Sequence, residues 1–169
     1  MSENPMRKIE IDKVTLNFGA GEAGEKLDRG VKILEKISSE KVVITKNHKR
    51  TPFGGAKGRS IGAKAIIRGE KAKELLRLLF QANENKVKKS SFDNSGNFSF
   101  GIAEYINIPG IKYDPDIGIV GFDVCVTLRR PGFRIKRRVI KRKKIGTKHR
   151  ITKEEAMEFM KKEFKLEVA

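Results

Sequence analysis

The chain has one cysteine, Cys125, no tryptophan, two histidines and five prolines in 169 residues. A lone cysteine excludes an intrachain disulfide and a cysteine-cluster zinc site, and an intracellular setting is expected. No stretch approaches the roughly 18 consecutive apolar residues of a membrane span. The opening MSENPMRK also lacks the apolar region of a signal peptide. A soluble, cytoplasmic protein without a membrane partner is therefore expected.

Acid is missing in two places, and that absence is the more informative one. Residues 41–69 contain eight Lys or Arg and no Asp or Glu, and residues 129–150 contain twelve, again with no acid. These segments hold twenty cations of a chain whose net charge is +17, so the rest is three charges negative. Charge segregated in this way forms anion-binding surfaces and points to a polyphosphate partner. An acidic lipid surface is the competing reading, but the C-terminal segment lacks the apolar face that membrane docking needs.

What is present reads as an α+β fold. KVTLNF alternates, with Val14, Leu16 and Phe18 on one side and Lys13, Thr15 and Asn17 on the other. GEKLDRGVKILEKIS carries a helical stripe of Leu27, Val31, Leu34 and Ile37, and EKAKELLRLLFQA one of Ala72, Leu75, Leu76 and Leu79. VVIT, AKAIIR, NFSFGI and GIVGFDVCVTL read as strands, the last with Phe122, Val124, Val126 and Leu128 on one side. Thr152 and Glu155 form a capping box opening a final helix with Ala156, Phe159, Met160 and Phe164 inward. The second and third strands are joined by a loop, so they should pair antiparallel. The expectation is a single domain over 1–169, an antiparallel sheet in a ferredoxin/RRM-like arrangement. Helices pack on one face and the other face is left open for RNA.

Gly19, Gly21 and Gly24 have the G-x-G-x-x-G spacing of a dinucleotide site. Such a site also wants an acid about 20 residues on, and this stretch reads ITKNHKR. Basic residues would suit a phosphorylated ribose, but no second parallel strand–helix–strand unit follows. The glycines are better read as a tight turn into a helix, and no cofactor is expected. GGAKGRS lacks the phosphate-loop spacing. His48 and His149 sit among cations, and Asp114 and Asp116 read as Asx-capped turn residues, not as a cation loop. No catalytic or metal site is expected, and the chain reads as a non-enzyme. The segment 129–150 has Phe133, Ile135, Val139, Ile140 and Ile145 among its cations. It is therefore expected to dock on RNA or on the domain, not to trail as a free arm.

KVTLNFGAGEAGEKL, ITK with a basic loop, IGAK with RGEKA, SFDNSGNFSFGI, IPGIKYDPDIGIVGFDV and GTKHRITKEEAMEF occur in that order. In this the chain resembles, from about Lys8 to Phe164, the L-five family of large-subunit ribosomal proteins, in its archaeal and eukaryotic branch. The resemblance implies a structural role in the central protuberance of the large subunit, where the sheet face grips 5S rRNA and neighbouring 23S rRNA. It implies a contact with P-site tRNA through the basic loop 47–60, and one with a small-subunit head protein. Asn17, Lys46 and Arg68 fall where the family places RNA contacts. The expected RNA-binding set adds Lys13, Thr15, Lys64, Arg129, Arg130, Arg134, Lys136, Arg137 and Arg138. Lys49, Arg50, Lys57 and Arg59 fall in the tRNA-facing loop. Glu40 and Ile66 stand where the family often has Gln and Thr.

Overall fold

The computed structural model describes residues 4–50, 52 and 55–168. Five strands form one antiparallel sheet: β1 (Glu10–Gly19), β2 (Val43–Lys46), β3 (Ser60–Ile67), β5 (Phe98–Ile102) and β6 (Phe122–Arg129), in the order β2-β3-β1-β6-β5. The helices are α1 (Glu25–Ser38), α2 (Glu70–Ala82) and α3 (Lys153–Phe164). The alternation read from the sequence sets which face is buried. Val14, Leu16, Ala63, Ala65, Val124 and Val126 are all buried, as are Leu27, Leu34, Leu76 and Leu79 of the helices. Fully burying one such aliphatic side chain is worth roughly 1.5–3 kcal/mol, so the packed face stabilises the sheet. Phe80 of α2 lies 5.2 Å from the Phe100 ring and 5.5 Å from that of Phe164, joining α3 to the same core.

The loop-joined β2 and β3 pair antiparallel as expected. The place beside β1 is taken by β6, with β5 outside it. The main departures from the sequence expectation are local. β1 starts three residues before KVTLNF, because a bulge between Ile11 and Lys13 buries both Ile11 and Asp12 and interrupts the alternation. GIVG is not strand: Ile117 and Gly118 both donate to the Asp114 carbonyl at 3.1 Å, and this turn holds the chain until Phe122. A two-residue parallel ladder pairs β4 (Lys86–Val87) with β7 (Glu167–Val168), too short to leave a periodic signal.

The glycine motif is a turn into α1. Gly24 is the N-cap residue with φ +143°, in the region that only glycine occupies without strain, and Ala20 and Gly21 N–H both donate to the Ile61 carbonyl at 3.0 Å. A different glycine serves packing: a Cβ on Gly30 would sit 2.0 Å from the Phe18 ring, so α1 rests against β1 through bare backbone.

Candidate nucleic-acid interface

The helices leave one face of the sheet uncovered, and strand register arranges its side chains in rows. One row runs Val43, Lys64, Asn17, Asp123 and Gly101 across β2, β3, β1, β6 and β5. The next runs Ile66, Thr15, Cys125 and Ser99, and Lys13 stands opposite Thr127. Lys13, Thr15, Asn17 and Lys64 are half-buried, while Asp123 and Cys125 are exposed. Four of the expected RNA-binding residues thus share one surface, as the alternation of β1 requires. Ile66 is on this face, so a hydrophobic side chain interrupts the polar surface there.

The face is less cationic than the patch count suggests. Glu10 pairs with Arg129 at 3.5 Å, and the exposed carboxylate of Asp123 lies beside Asn17. Partial desolvation against the sheet surface, and then the Asp123 carboxylate, push the Cys125 thiol up in pKa. Polar groups and two lysines, not bulk charge, characterise this surface. Asp123 puts an exposed acid on this face, opposite Asn17.

The basic segment 129–150 is folded on the domain. Arg130 is buried, with its guanidinium 2.8 Å from Glu155 and donating to the Arg150 carbonyl at 3.1 Å. Glu155 also closes the capping box, accepting from Thr152 N–H at 3.0 Å while its own N–H donates to Thr152 Oγ1. Burial would raise the Glu155 pKa, but the Thr152 N–H and Arg130 outweigh it and hold the carboxyl low. Arg137 is pinned to Asp12 through both guanidinium nitrogens, Nη1 donating to Oδ1 at 3.0 Å and Nη2 to Oδ2. The His149 ring lies 2.9 Å from the Pro131 carbonyl and edge-on to Phe133. Arg130 and Arg137 are therefore engaged within the protein, whereas Arg134, Lys136 and Arg138 are exposed. Arg130, expected as an RNA contact, is an internal anchor; nothing in a charge run distinguishes the member that will be buried.

The β2–β3 hairpin carries the other patch. Its base is closed by Asn47 N–H donating to Arg59 and Gly58 N–H donating to Asn47, at 2.9 and 2.8 Å. Lys46, Lys49, Arg50, Lys57 and Arg59 are exposed, while residues 51, 53 and 54 of the loop lie outside the described residues. Arg68 is exposed just beyond the far end of β3, near Asp12. Glu40, whose charge would oppose a phosphate, is engaged with Lys71 at 3.0 Å.

Register fixes how the two patches stand to each other. The Glu10 end of β1 pairs with Arg129, where the basic segment begins, and the Gly19 end pairs with Gly62, where the hairpin loop returns. A strand of ten residues spans about 30 Å at ~3.3 Å per residue. The hairpin-loop cations and the segment 129–150 therefore lie at opposite ends of the open face, with Arg68 at the end of the basic segment. Among the described residues no cluster of His, Cys, Asp or Glu is arranged to hold a metal, and no helix is long and apolar enough to cross a membrane.

The whole chain has close relatives. Residues 4–52 match the family described as ribosomal protein L5, and residues 60–159 match the ribosomal L5P family C-terminus. The chain is 50% identical over 168 residues to the large ribosomal subunit protein uL5 of Sulfurisphaera tokodaii, covering 98% of this chain and 94% of that one. It is 48% identical to the proteins of that name from Methanosphaera stadtmanae and Nanoarchaeum equitans, over 98% of this chain and 99% of theirs. The order of motifs, the open face and these full-length matches agree: the chain belongs to the ribosomal protein L5 family, a structural family and not an enzyme family.

Proposed function

We propose that this protein is a structural component of the large ribosomal subunit in the cytoplasm, where it binds 5S rRNA and adjoining 23S rRNA in the central protuberance. The observation that carries this reading is the uncovered sheet face, on which Lys13, Thr15, Asn17 and Lys64 stand together. Such a surface suits folded RNA: lysines neutralise phosphate, and short polar side chains meet ribose hydroxyls and the edges of unpaired bases. The exposed cations of the segment 129–150 extend it, with Arg134, Lys136 and Arg138 facing solvent. The hairpin loop 47–60, at the other end of the face, contacts P-site tRNA through Lys49, Arg50, Lys57 and Arg59. A small-subunit head protein is a further partner across the subunit interface. The names of the relatives support ribosomal membership, and the 5S and tRNA contacts come from the position of these residues in the family pattern.

The test is 5S rRNA binding by the purified protein as a function of salt. Neutralising six to eight phosphates gives a slope of log affinity on log salt of about −5 to −7. A slope near zero would contradict the reading.

A further inference from the structure

Between the end of the sheet and the folded basic segment lies a cleft of about 540 Å³, within the range of small-molecule sites. Its lining includes Asn97, Thr127, Leu128, Phe133, Ile145 and Ile151. Its remaining lining includes Lys136, Lys143, Lys144 and Arg150, whose side chains make no ion pair among the described residues, and no carboxylate lines it. Asn97 donates through Nδ2 to Asp93 at 2.9 Å, which fixes the amide and leaves its carbonyl oxygen to accept. An aromatic ring, apolar walls and an oriented amide beside several free cations describe a site for a flat heterocycle that carries phosphate.

We propose that this cleft receives one unpaired nucleotide of a folded RNA, its base against Phe133 and its flanking phosphates on the lysines and Arg150. The inference rests on the reading of the partner as RNA. Bases splayed out of single-stranded loops are recognised in this way, by stacking on aromatic side chains and hydrogen bonding along their edges. An acidic peptide would use the cations but not the ring, and a duplex would keep its bases stacked and reach only the rim. Arg137, held by Asp12, forms part of the lining, so the cleft exists before any RNA arrives.

The experiment is an NMR titration of the full chain with a single-stranded RNA hexamer, a 12-base-pair RNA duplex and polyglutamate, in parallel. The hexamer should shift the Asn97 side-chain amide, the Thr127 methyl and the Phe133 ring. Within the cleft, the duplex and polyglutamate should shift only Lys136, Lys143, Lys144 and Arg150. Thr127→Phe, which fills the cleft, should weaken the hexamer at least tenfold and the duplex less than twofold. Phe133→Leu keeps the apolar packing and should weaken the hexamer at least threefold, which covers the case in which Thr127→Phe does not fold. Equal shifts from all three polyanions, or hexamer affinity unchanged in the folded variants, would overturn the proposal. If the hexamer leaves the cleft unmoved while wild-type protein still binds 5S rRNA, only the cleft assignment fails. If neither RNA binds better than polyglutamate, the RNA reading fails with it.

Discussion

Asp12 and Arg137 are 125 positions apart and joined by two hydrogen bonds, with the Asp12 side chain 1% exposed and that of Arg137 48% exposed. A carboxylate at the bulge of the first strand thereby anchors the most basic part of the chain. Burial would raise the Asp12 pKa, but hydrogen bonding to Arg137 and the charges of Arg137 and Arg129 outweigh it, holding the group below its ordinary 3.8. The folded carboxyl is then the stronger acid, so its stabilisation is complete above the unfolded value and fades as pH falls through the folded one. Acid should loosen the segment before the sheet. Asp12→Asn should do the same at neutral pH, at a cost of about 1.5–3 kcal/mol for a charged hydrogen bond. Faster amide exchange confined to residues 133–145 is the expected signature; unchanged exchange would mean the segment is held by other contacts.

Asn17 lies between Lys64 and Asp123 on the open face, half-buried and outside the hydrophobic core. Asn17→Ala should leave the melting temperature within about a degree or two, since surface changes are usually within ±0.5 kcal/mol. It should weaken 5S rRNA binding several-fold in a filter or fluorescence assay. Unfolding with normal binding per folded molecule would show that the side chain supports the fold.

Asp123 gives a prediction of opposite sign. Its exposed carboxylate stands on a face proposed to meet phosphate. Asp123→Asn should tighten 5S rRNA binding a few-fold at low salt, with the gain shrinking as salt screens the charge. Weaker binding would instead assign Asp123 a direct hydrogen bond to the RNA.

The hairpin patch is separable because it lies at the other end of β1. Replacing Arg50, Lys57 and Arg59 together by Ala should spare 5S rRNA affinity to within about twofold while impairing tRNA positioning in assembled ribosomes. Chemical footprinting of P-site tRNA would read the second effect. A matching loss of 5S affinity would put this loop on a different RNA.

Gly30 sets two effects against each other. Alanine in a helix interior is favoured by roughly 0.8–1.0 kcal/mol over glycine. The added methyl would meet the Phe18 ring at 2.0 Å, and overpacking of a core costs about 1–3 kcal/mol. Such a close approach makes the second effect win, so Gly30→Ala should be destabilising by about 1–2 kcal/mol in urea unfolding. A stabilised variant would show that Phe18 has room to turn aside.

Much of this was legible in the residues because alternation is a local rule. The four buried residues Phe122, Val124, Val126 and Leu128 follow from β6's own text, and α2 covers the residues its apolar spacing marks. Long-range pairing was not legible. Nothing in RRPGFRIKRR says that its first arginines divide, Arg129 reaching Glu10 while Arg130 turns inward to Glu155. The bulge at Asp12 hid three strand residues for a related reason: it exists to deliver a carboxylate to a partner more than a hundred positions away. Charge runs reveal how much charge there is, and only the fold reveals which charges are already engaged.

Between the two cationic ends, helices back the antiparallel sheet on one side at β1 and β3, while the β2 edge stays exposed on both faces. If both ends hold nucleic acid as proposed, a spacer of fixed length would also set the distance between them, and a load on the hairpin would be passed to whatever the far end holds.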